Sequence, residues 1–115
     1  INTTFKDKIN DYIKAVELYI KGGEYNESDR LFTQALALGN NKEKFEMKTN
    51  YKNYYLKQGK FFLNNDKRNY ARIIFERALT LDLNITEKKE VQKYLLELYD
   101  KLGLVRDYYN LKKIM

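Results

Sequence analysis

The stretch Leu18-Tyr19-Ile20-Lys21-Gly22-Gly23-Glu24-Tyr25-Asn26-Glu27-Ser28, closed by Phe32-Thr33-Gln34-Ala35-Leu36, sets two glycines between two amphipathic runs. Ahead of the glycines, Phe5, Ile9, Tyr12, Ile13, Val16, Tyr19 and Ile20 recur at spacings of three and four, the pattern of one helix face. Glycine takes the left-handed conformation needed just past a helix end, so Gly22-Gly23 terminates that helix. Thr4 with Asp7 reads as its capped start. A second helix begins near Asn26 with Asp29 in its first turn. It carries Leu31, Phe32, Ala35, Leu36 and Leu38, and stops at Gly39-Asn40-Asn41. Two helices joined by so short a turn lie antiparallel.

The same order then recurs. A long helix from about Lys42 carries Phe45, Tyr51, Tyr55, Leu56, Phe62 and Leu63 and breaks at Asn64-Asn65-Asp66. Its partner carries Tyr70, Ile73, Ile74, Phe75, Ala78, Leu79 and Leu81. Asn84 and Thr86 offer caps for a fifth helix, with Glu87 completing its first turn. That helix runs through Val91, Leu95, Leu96, Leu98 and Tyr99 to Gly103, and a short sixth holds Tyr108, Leu111, Ile114 and Met115. Ala35-Leu36-Ala37-Leu38 and Ala78-Leu79-Thr80-Leu81 end the second and fourth helices alike, with Phe32 and Phe75 each three residues before the alanine. Tyr19 and Phe62 each precede that phenylalanine by thirteen residues. Val16 and Gly59, three residues earlier still, put small side chains where two helices can approach. Repeats of about 20–50 residues stack, each hairpin burying its apolar face on the next.

On these residues the chain resembles the tetratricopeptide repeat family. That family's pattern has a tyrosine, a glycine-acidic-tyrosine turn, a small residue, an aromatic and a final Ala-Leu. A third copy is offered by Leu98-Tyr99-Asp100-Lys101-Leu102-Gly103, with Tyr108 where a small residue is expected. The resemblance covers residues 9–115. It implies an all-α, right-handed superhelix of about three antiparallel helix hairpins, with residues 1–115 as one repeat domain. Departures are visible. The family repeats every 34 residues, whereas Ala35 and Ala78 are 43 apart and Ala71 and Tyr108 are 37 apart. The added residues between Gly39 and Tyr51 lengthen the third helix, and the proline that commonly follows each repeat is missing. The stretch from Tyr70-Ala71-Arg72 to Ala78-Leu79 also resembles the half-a-tetratricopeptide variant of RNA-processing scaffolds, in this one copy only.

The resemblance further implies a partner-binding groove on the first helix of each hairpin. Aligned on the family, that face takes Asn10, Ile13, Glu17, Ile20 and Lys21, then Asn53, Leu56, Lys60, Leu63 and Asn64, then Glu90, Lys93, Glu97 and Lys101. There Asn and Lys can hold a peptide backbone while Ile and Leu supply small pockets. Each position is equally explained as solvated or stacking surface. The family's carboxylate clamp is not reproduced by Ile13, Glu17 and Lys60, which argues against a receptor for C-terminal tails. The implied function is a non-enzymatic scaffold that binds a protein or peptide. Self-association through the last helix, with Ile114 and Met115 exposed at the end of a short array, is a further expectation.

Composition narrows the rest. The 115 residues include no Cys, His or Pro. Zinc and most transition metals thereby lose their usual ligands, and nucleophile–imidazole pairs are excluded. The acidic pairs Glu43/Glu46 and Glu87/Glu90 are better explained as caps and surface charge. Enzymatic activity, metal ions and cofactors are not expected. No apolar run approaches the ~18 residues of a membrane span. The start at Ile1 leads to the expectation of a piece of a longer protein, and the abundance of Lys, Asn, Ile and Tyr to that of an AT-rich bacterial source. The net charge of +6 is uneven: residues 1–51 hold eight basic and eight acidic side chains, residues 52–115 fourteen and eight. Residues 52–77 form a mild basic region, where Tyr51, Tyr54 and Tyr55 beside Lys52 and Lys57 make the best case for stacking on RNA. Against it, Tyr19, Tyr55, Tyr99 and Phe62 fall on the buried phase of their helices. Nucleic acid is the disfavoured partner.

Overall fold

The computed structural model describes residues 2–115, with side chains from Asp7 onward. Along these residues six α-helices follow one another: α1 (Asn2–Lys21), α2 (Tyr25–Leu38), α3 (Asn41–Asn64), α4 (Arg68–Ala78), α5 (Ile85–Leu102) and α6 (Val105–Ile114). The described residues contain no strand. The chain forms two compact units, residues 1–51 and 52–115, whose boundary falls inside α3.

The three hairpin turns share one backbone geometry. Gly23, Asp66 and Gly103 occupy the left-handed region at φ 78°, 57° and 71°. In each turn the following N–H donates back to the carbonyl five residues earlier: Glu24 to Tyr19 at 2.8 Å, Lys67 to Phe62 at 2.9 Å and Leu104 to Tyr99 at 2.9 Å. The left-handed residue's own N–H donates to Ile20, Leu63 and Asp100 respectively. This six-to-one and five-to-two pairing satisfies carbonyls that a helix end leaves open. The next residue then adopts nearly the same conformation in all three copies: φ, ψ of −94°, 70° at Glu24, −90°, 70° at Lys67 and −87°, 73° at Leu104. The repeat is therefore a repeat of turn geometry as well as of residue type.

The starts of α3 and α5 are also alike. Asn40 N–H donates to Glu43 Oε1 and Glu43 N–H to Asn40 Oδ1, both at 2.9 Å. Asn84 and Glu87 make the same exchange at 3.0 and 2.8 Å. These are reciprocal capping boxes, and they account for Glu43 and Glu87 structurally.

Four expected boundaries shift. The first helix already runs at Asn2, so Thr4 lies inside it rather than capping it. The side chains of residues 1–6, Phe5 among them, lie outside the described part. In α2, Glu27 takes the first turn, and Asp29 instead accepts a hydrogen bond from the Tyr51 hydroxyl. The third helix begins one residue before Lys42 because Asn40 caps it. The fourth stops at Ala78, where Thr80 and Leu81 donate to Arg77 and Ala78 at 3.0 Å in tighter i→i+3 bonds.

In the first unit α1 packs on α2. Ile9, Val16, Ile20, Phe32 and Ala35 are buried there together with Met47 and Tyr51. The Phe32 and Tyr51 rings stack at 3.8 Å and 7°. In the second unit Ala71, Phe75, Val91, Leu95, Leu98, Tyr99 and Leu111 form the core, covered by Leu56, Phe62, Leu63 and Tyr94 among others. Fully burying a ring such as Phe75 contributes about 2–3 kcal/mol. Ser28 and Ala71, both fully buried, occupy equivalent positions five residues beyond the left-handed turn residues. Ser28 is tolerated there because its hydroxyl donates to the Tyr25 carbonyl at 2.7 Å.

Candidate functional site

Within the second unit, the half of α3 beyond Lys52 divides its side chains between two jobs. Tyr55 is buried, and Phe62 and Leu63 turn to the core. Asn53, Lys57, Lys60, Phe61 and Asn64 recur at three- and four-residue spacing on another face. That face, with Leu56 at its edge, lines a groove of about 630 Å³ whose other wall is Glu87 and Glu90 of α5. Phe61 is 53% exposed although it is a large apolar ring, and its edge packs on Phe62 with 5.8 Å between centroids.

Two ion pairs bridge α3 and α5: Lys52 with Glu87 at 3.0 Å and Lys60 with Glu90 at 2.9 Å. Glu90 also accepts a hydrogen bond from Tyr94 at 3.2 Å. The Lys60 bond holds the Glu90 carboxyl below its ordinary range and raises the Lys60 ammonium in return. Glu87 is lowered first by the Asn84 backbone N–H and then by Lys52. Burial, then the Glu90 charge, raises the Tyr94 phenol. The two ion pairs brace the second half of α3 against α5.

Five of the residues aligned on the family's groove meet here: Asn53, Leu56, Lys60, Asn64 and Glu90. Leu63 packs against the core instead of lining the groove. Lys93, Glu97 and Lys101 are exposed on α5 outside the lining. In the first unit Asn10 and Lys21 are exposed, Ile13 and Glu17 are half-buried, and Ile20 is only 1% exposed. Ile20 is thus a core residue with no surface to offer a partner. Lys57, Phe61 and Glu87 line the groove without having been expected there. The i, i+4 ladder of Asn53, Lys57 and Phe61 is the signal that marks the first two.

Three cations of the basic region are paired with carboxylates. Lys52 and Lys60 are paired as above, and Arg72 pairs with Glu76 at 2.9 Å. Of the tyrosines next to it, Tyr51 and Tyr55 are buried and Tyr54 is half-buried, accepting a hydrogen bond from Gln58. Ile114 and Met115 at the end of α6 are both exposed. Among the described residues no group of His, Cys, Asp and Glu could hold a metal ion, and no helix is long and apolar enough to cross a membrane.

No protein-family model, no curated protein and no solved structure matches this chain.

Proposed function

We propose that the chain is a non-enzymatic, tetratricopeptide-like scaffold that binds a segment of another protein in the α3–α5 groove. The observation that carries this reading is the groove's construction. It is lined by the first helices of two successive hairpins, offers amides and an exposed aromatic ring, and is braced by the Lys52–Glu87 and Lys60–Glu90 pairs. A few polar groups around an apolar side chain suit recognition of a peptide. The shared turn geometry at Gly23, Asp66 and Gly103 supports the repeat reading, and right-handed superhelical stacking of the hairpins is part of the same proposal. Pairing of three cations of the basic region with carboxylates weighs against an RNA scaffold.

The test is a pull-down with the tagged chain from source-cell lysate, with and without nuclease, repeated with Phe61→Ser. A protein kept after nuclease and lost with Phe61→Ser supports the groove. A catch that vanishes with nuclease turns the reading toward RNA. Binding to nucleic acid also weakens steeply with salt, whereas packing in a groove does not.

A further inference from the structure

We propose that the groove takes an extended peptide of about five residues with an acidic side chain two positions from an apolar one. The inference rests on the groove reading above and specifies its ligand. Four side chains on one stripe of α3 carry it: Asn53, Lys57, Phe61 and Asn64, all in the lining.

Charge sets the first requirement. Among the charged lining residues, Lys60 and Glu90 neutralise one another and Glu87 is neutralised by Lys52. Lys57 is exposed and has no carboxylate of the described residues within ion-pairing distance, so the groove presents one unbalanced positive charge. An acidic side chain complements it. Phe61 sets the second. More than half its surface is exposed, and covering the ring with an aliphatic or aromatic side chain removes apolar area from water.

Helix geometry sets the spacing. Lys57 and Phe61 lie about 6 Å apart along the axis at ~1.5 Å per residue, and two residues of extended chain advance about 6.6 Å. The acidic and apolar side chains therefore belong at positions i and i+2, in either chain direction. Successive side chains of an extended strand alternate, so i and i+2 also face the same wall. Asn53 and Asn64 lie about 16 Å apart by the same rise, the length of about five extended residues. Their carboxamides make no hydrogen bond among the described residues, and each offers both a donor and an acceptor. Main-chain groups of an extended segment need such partners, whereas a helical ligand has already satisfied its own. The amides thus favour a strand over a helix.

The experiment is display of randomised seven-residue peptides against the full chain, against Lys57→Glu and against Phe61→Ser. Circular dichroism on each variant checks that the helices persist, as they should for substitutions at exposed positions. Wild type is expected to enrich acidic-x-apolar sequences, Lys57→Glu to enrich basic-x-apolar ones, and Phe61→Ser to lose the apolar preference. In a synthetic wild-type binder, replacing Glu by Gln should weaken affinity roughly three- to fivefold, the size of one exposed ion pair. Peptides lost with Phe61→Ser but enriched without an acidic residue, or enriched identically by Lys57→Glu, overturn this ligand while leaving the groove. Absence of any Phe61-dependent binder overturns both. Displacement of a selected peptide by oligouridylate, abolished by Lys57→Glu, would assign Lys57 to phosphate and overturn the peptide ligand.

Discussion

Gly59 of α3 lies directly against the ring of Phe75 in α4: a Cβ placed on Gly59 would come within 2.4 Å of Phe75 Cε1. Phe75 has no room to retreat, being fully buried and stacked on Tyr94 at 5.2 Å between centroids. Two effects compete in Gly59→Ala. Alanine gains up to about 1 kcal/mol of helix propensity, while overpacking a tight core costs about 1–3 kcal/mol. Because the clash is with a fixed ring, overpacking wins, and Gly59→Ala is expected to lower stability by about 1–2 kcal/mol in urea unfolding. Introduced into a Phe75→Leu background, Gly59→Ala should lose most of this cost. If the two substitutions add independently, the close approach is not the cause.

The left-handed turn residues make the opposite test, because their cost is conformational. Nothing lies within 4 Å of a Cβ at Gly103, yet its φ of 71° strains any L side chain. Gly103→Ala should destabilise by about 1 kcal/mol with no steric partner able to relieve it. Asp66 already carries such strain at φ 57°, so Asp66→Gly should be neutral to stabilising by up to about 1 kcal/mol. Thermal unfolding of the two variants reads both signs. A loss for Asp66→Gly would mean that its side chain supports the turn by more than the strain it stores.

The Lys60–Glu90 and Lys52–Glu87 pairs predict an acid limb of stability. Glu87 and Glu90 are held below the ordinary carboxyl value, so their contribution is complete above the unfolded value of about 4.3 and disappears as pH falls through the folded one. Lys60 is raised; its contribution is complete below about 10.4 and disappears as pH rises through the folded value. Between these limits the pairs make stability flat. Lys60 and Glu90 side chains remain nearly half exposed at 48% and 42%, so their pair contributes at most about 1 kcal/mol. Urea midpoints at pH 7 and pH 3 should therefore differ less for Glu90→Gln than for wild type. High salt should narrow the gap further. An unchanged difference in Glu90→Gln would remove Glu90 from the acid limb.

Much of the fold was legible because helix ends are local chemistry. Gly22-Gly23 and Gly103 announce left-handed turns, and Asn84 with Glu87 announces a cap. Asn64-Asn65-Asp66 announces a break as well, but not which of its residues turns left-handed; Asp66 takes the place that Gly23 and Gly103 hold in the other two turns. The Asn40–Glu43 box was as readable as the Asn84–Glu87 one, but the neighbouring Gly39 draws the eye to a stop instead of a start. The site was legible only in part. Aligned positions carry over which residues share a helix face, whereas exposure depends on what packs beside that face. Hence Ile20 went to the core and Leu63 against it, while Phe61, one residue off the aligned set, stands in the groove.

In the second unit α4 and α5 are joined by one polar chain: the Tyr99 hydroxyl donates to Glu76 Oε2 at 2.6 Å, and Arg72 donates to Glu76 Oε1 at 2.9 Å. Arg72 is itself steadied by Asn69 Oδ1 at 2.8 Å. A hydrogen bond to a charged group contributes about 1.5–3 kcal/mol when well enclosed. Glu76 is partly open to solvent, so water replaces some of what Tyr99→Phe removes, and about 1–2 kcal/mol is the expected loss. The alkaline side separates this bond from mere packing of the ring. Burial, and then the Glu76 carboxylate, push the Tyr99 phenol far above its ordinary value. A raised phenol contributes stability in full below the unfolded value of about 10 and loses it as pH climbs toward the folded one. Wild type should therefore lose stability more steeply than Tyr99→Phe once pH exceeds about 10. Equal slopes would mean that the phenol is not held protonated by the fold, and the Tyr99–Glu76 bond would then carry no part of the α4–α5 contact.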